Sequence, residues 1–78
     1  MRLAYSSKFK SDLSRSVHSA LGKSGIINVP LVAEEVRKLN EIENIALEDI
    51  ESMVLDLAQL LGAPIEFDSL AIYVPAAV

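Results

Sequence analysis

The chain has 78 residues, no cysteine and a single histidine, His18, so disulfides, thiolate metal sites, cysteine nucleophiles and multi-histidine metal centres within one chain are excluded. With 51% hydrophobic and 23% charged residues it has the composition of one small folding domain, spanning residues 1–78. A net charge of −4 gives no global affinity for nucleic acid, and no apolar run approaches the roughly 18–20 residues needed to span a bilayer, so a cytoplasmic protein without membrane contact is expected.

The charge is unevenly spread. Arg2, Lys8, Lys10, Arg15 and Lys23 face one acid, Asp12, in the first 25 residues, whereas the remainder carries Arg37 and Lys38 against ten acids. Such asymmetry fits a basic arm for an anionic partner, or a basic segment lying on the acidic remainder in cis or across a dimer. The Ser-, Arg- and Lys-rich start superficially matches a transit peptide, but its removal would discard roughly a third of an already small core, and it has no long apolar stretch of the secretory kind, so it reads as part of the domain.

In chain order, Phe9, Leu13, Val17, Ala20 and Leu21 form one stripe at helical spacing and predict a helix over 7–21. Ser6 or Ser7 would cap its start and Gly22 or Gly25 would stop it, leaving Lys8, Ser11, Arg15 and His18 on the opposite face. Ile26–Val29 is β-prone, and Pro30 suits the first turn of a second helix with Val32, Ala33, Val36 and Leu39 inward. In that helix Glu34 and Lys38 have the spacing of an i,i+4 pair worth about 0.2–0.5 kcal/mol. Residues 40–44 read as a polar turn anchored by Ile42.

The strongest periodicity runs over 47–61, where Leu47, Ile50, Val54, Leu57, Ala58 and Leu61 make a wide apolar face broadened by Met53 and Leu60. Ile45 and Ile50 have the spacing of a hydrophobic staple around Ala46. Glu48, Asp49 and Glu51 complement the helix dipole, and Gly62 with Pro64 stops the helix. Two β-prone runs, 65–67 and 70–74, flank Asp68-Ser69 and predict a hairpin, closed by Pro75 and followed by an apolar tail. The fold class expected is α+β, a small three-helix domain with a C-terminal β-hairpin.

This order (helix, short extended piece, helix, turn, longer helix, two-stranded wing) resembles a winged helix-turn-helix domain across nearly the whole chain. The likeness is carried by residues 26–29, 30–39, 47–61 with the Gly62 stop, and 65–74. The resemblance implies DNA binding with the helix after the turn in the major groove. The outward residues of that helix are Glu48, Ser52, Leu55, Asp56 and Gln59, and the wing offers Glu66 and Asp68, so phosphates would be repelled and only Gln59 could read a base. Two functions follow as expectations. The first is a non-catalytic protein-interaction or assembly domain, acting as a homodimer or with a protein partner through Leu55, Gln59, Tyr73, Val74 and Val78. A mean hydropathy of +0.36 in so short a chain favours such burial in an oligomer. The second is a dimeric DNA-binding regulator using Lys8, Arg15 and His18.

Enzyme chemistry and cofactors are not expected. Ser14 and His18 can touch along one helix, but Asp12 lies six residues from His18, about 120° round the helix, and cannot orient its ring. The acid pairs lack calcium-loop spacing, and Gly22-Lys23-Ser24 has Val17 where a phosphate loop needs its first glycine.

Overall fold

The computed structural model describes residues 5–67, and over this span six elements follow one another: α1 (Ser7–Ser24), β1 (Ile27–Asn28), α2 (Val29–Leu39), the 3-10 turn η1 (Glu41–Glu43), α3 (Leu47–Leu60) and β2 (Ile65–Glu66). The architecture is mostly helical, with one short two-stranded sheet, an α+β arrangement. α1 begins where Ser6 Oγ accepts the Phe9 N–H at 3.0 Å, satisfying one of the donors a helix start leaves over. It runs three residues beyond Leu21, because Gly25 rather than Gly22 takes the left-handed conformation, at φ 73°. Tyr5 stacks on Phe9 just ahead of it, with ring centroids 5.1 Å apart.

α2 is capped by Asn28, whose Oδ1 accepts the Leu31 N–H at 3.3 Å, with Pro30 in the first turn where its missing N–H costs nothing. Glu34 pairs with Arg37 and not with Lys38: the guanidinium donates twice, at 3.0 and 2.6 Å, because its fork matches a carboxylate one turn away. α3 starts at Ala46 without a side-chain cap. Ile45 and Ile50 are both buried across that start, as a hydrophobic staple requires. Its end is a Schellman turn in which the Gly62 N–H donates to Gln59 O and the Ala63 N–H to Ala58 O, both at 3.0 Å, with Gly62 at φ 68°.

The core is assembled from Phe9 and Val17 of α1, Ile27 of β1, Val32, Ala33 and Val36 of α2, and Ile50, Val54 and Ala58 of α3, closed by Val29 and Ile45. Each helix thus buries the middle of the stripe its periodicity predicts, and α2 packs centrally between the other two. Four apolar residues expected inside are not, Leu61 among them at 39% exposed. Leu39 is 53% exposed, Leu60 is 81% exposed, and Ile42, expected to anchor its turn, is 99% exposed. The anchor is Ile45, since η1 turns Ile42 outward and the left-handed Asn44 brings the chain back to the core.

β2 pairs with β1 in parallel, Ile27 opposite Ile65 and Asn28 opposite Glu66, and the Asn28 amide reaches the Glu66 carboxylate at 3.4 Å. This pairing is additional to the hairpin predicted for 65–67 with 70–74, whose second strand lies outside the described residues. No helix among the described residues is long and apolar enough to cross a membrane.

Candidate functional site

The basic face predicted on α1 is real in part, but its members have different occupations. Asp12 is buried against α2 and accepts from Lys8 Nζ at 2.8 Å and from Asn40 Nδ2 at 3.2 Å, with Arg15 Nη1 at 3.5 Å. Lys8 also donates to Leu39 O at 2.7 Å and to Asn40 Oδ1 at 3.3 Å, while Asn40 Nδ2 donates to Val36 O at 3.0 Å. Lys8 and Asn40 therefore satisfy carbonyls left over at the C-terminal end of α2, where a cation is also favoured by the helix dipole, while Asp12 accepts from both. The Lys8 hydrogen bond, aided by those of Asn40 and by the Lys8 and Arg15 charges, holds the Asp12 carboxyl below the usual carboxylate range against the opposing effect of burial. A second tie joins the same ends: Ser6 Oγ donates to the Glu43 carboxylate while capping α1.

Lys8 and Arg15, expected as nucleic-acid contacts, are thus engaged with Asp12, although both side chains remain largely exposed. His18 is exposed, and its Nδ1 lies 2.8 Å from Ser14 O and 3.4 Å from Ser14 Oγ. Ser14 and His18 do meet as their spacing allows, but Asp12 is committed to Lys8 and Asn40, so no relay of the three forms. Among the described residues no His, Asp and Glu side chains converge as metal ligands, and no buried side-chain nitrogen or oxygen lacks a hydrogen-bond partner.

On α3, Glu48, Asp49, Ser52, Asp56 and Gln59 are exposed, and the helix contains no basic residue. Neither Glu48, Asp49 nor Asp56 forms an ion pair among the described residues, where the ion pairs stay within α1 and within α2. Among the described residues, these salt bridges do not join the basic side chains of α1 to the acids of α3. Leu55, expected to stand outward as an interface residue, is half-buried and packs on the core. The outward apolar group is Leu60 at the end of the helix, followed by Leu61, 39% exposed, and by Phe67, 59% exposed, beyond β2. Periodicity misplaced the pair because it assigned Leu60 to an over-wide core stripe. Of the other expected interface residues, Gln59 is exposed as required, whereas Tyr73, Val74 and Val78 lie outside the described residues.

A cleft of about 390 Å³ lies where the start of α1 meets the end of α2, walled by Lys8, Lys38, Leu39 and η1. No family model, no curated protein and no solved structure matches the chain.

Proposed function

We propose that the chain is a non-catalytic protein-interaction domain whose outward α3 face binds a protein partner bearing basic side chains around an apolar contact. One observation carries the reading: a helix with exposed, unpaired Glu48, Asp49 and Asp56 and no cation ends in an 81% exposed Leu60. A single exposed leucine is ordinary, but Leu60 is followed by exposed Leu61 and Phe67 on the same stretch of chain. Cations on the partner would offset the carboxylates and steer the encounter, while Leu60 gives the contact that water exclusion strengthens. This reading keeps a winged-helix-like domain with a C-terminal hairpin as the proposed architecture.

The same features work against DNA as the ligand of α3, since duplex phosphates would meet carboxylates. The test is a photo-crosslinking residue placed at the exposed Gln59 in cells. The expected result is a covalent adduct with protein that disappears on Asp56→Lys with Leu60→Asp, two exposed positions whose change leaves the core intact. An adduct with nucleic acid, or a protein adduct unaltered by the double substitution, would overturn the reading. Leu55→Asp is unsuitable here, because it would place a carboxylate against the core.

A further inference from the structure

We draw no further inference here: the strongest candidate, the exposed Ile42 and Leu39 beside the cleft between the start of α1 and the end of α2, carries nothing, because Lys8 at its wall is already bound to Asp12, Leu39 O and Asn40 and nothing in the structure shows what covers the patch.

Discussion

Asp12 gathers Lys8 and Arg15 of its own helix and reaches the end of α2 through Asn40. It is the one acid in the basic start of the chain, and it is buried between Lys8, Arg15 and Asn40. Because its pKa is lowered in the folded state, chiefly by the Lys8 hydrogen bond, the stability it contributes is fully present above the usual carboxylate range. That stability is lost as pH falls through the lowered value. Thermal melts of the wild type and Asp12→Asn should therefore differ at neutral pH, the wild type melting higher. The gap should close as the solution is taken to the acid side of the ordinary carboxylate range; a constant gap would contradict the assignment. Asn40→Ala removes the donor to both Val36 O and Asp12 and should cost roughly 1–3 kcal/mol in chemical denaturation, independent of the Lys8 contact to Leu39 O. The sequence placed Lys8 and Arg15 on the polar face of α1 correctly, and their spacing to Asp12 is that of neighbours on one helix. What it could not show was Asn40, because a partner 28 residues away is set by how α1 and α2 dock.

At the scale of elements, local chemistry is legible and pairing is not. Ser6, the Ile45/Ile50 staple and the Gly62 stop are visible as short-range signals, and each acts in the structure as its type predicts. Ser6→Ala should lower stability by about 0.5–2 kcal/mol, with the loss read from the melting curve, since the Phe9 N–H loses its acceptor and Glu43 its donor. Gly62→Ala meets no neighbour within 4 Å, so any cost comes from backbone conformation alone at φ 68° and should be about 1–2 kcal/mol; a neutral substitution would mean that the left-handed turn is not maintained. The parallel union of 27–28 with 65–66 joins segments 38 residues apart, and nothing in either two-residue strand specifies its partner. Leu39, Ile42 and Leu60 illustrate the same limit. Helical spacing marks Leu39 and Leu60 as core, and hydrophobic identity marks Ile42 as the anchor of its turn, yet each sits at or beyond a helix end, where the neighbouring helix no longer covers it.

For the whole molecule, the separation of charge along the chain is carried into separation in space. The basic start packs on the rest through Phe9 and Val17 and through the Asp12 network, and among the described residues no salt bridge links it to the acids of α3. Exposed carboxylates outside the ion pairs of the described residues therefore lie on α3, which ends in the exposed Leu60, and this is why contact with protein is the function proposed for that surface. The sequence alone pointed to an acidic third helix and hence to this class of function. Leu55, outward on a helical wheel, is half-buried against the core, because a wheel does not show how neighbouring elements pack. The measurement bearing most directly on the central claim is size-exclusion chromatography with light scattering at low and physiological salt, with and without nonspecific duplex DNA. The account predicts a mass that DNA leaves unchanged at both salt concentrations. A salt-sensitive shift onto DNA, abolished by Lys10→Glu with Lys23→Glu on the exposed face of α1, would contradict it.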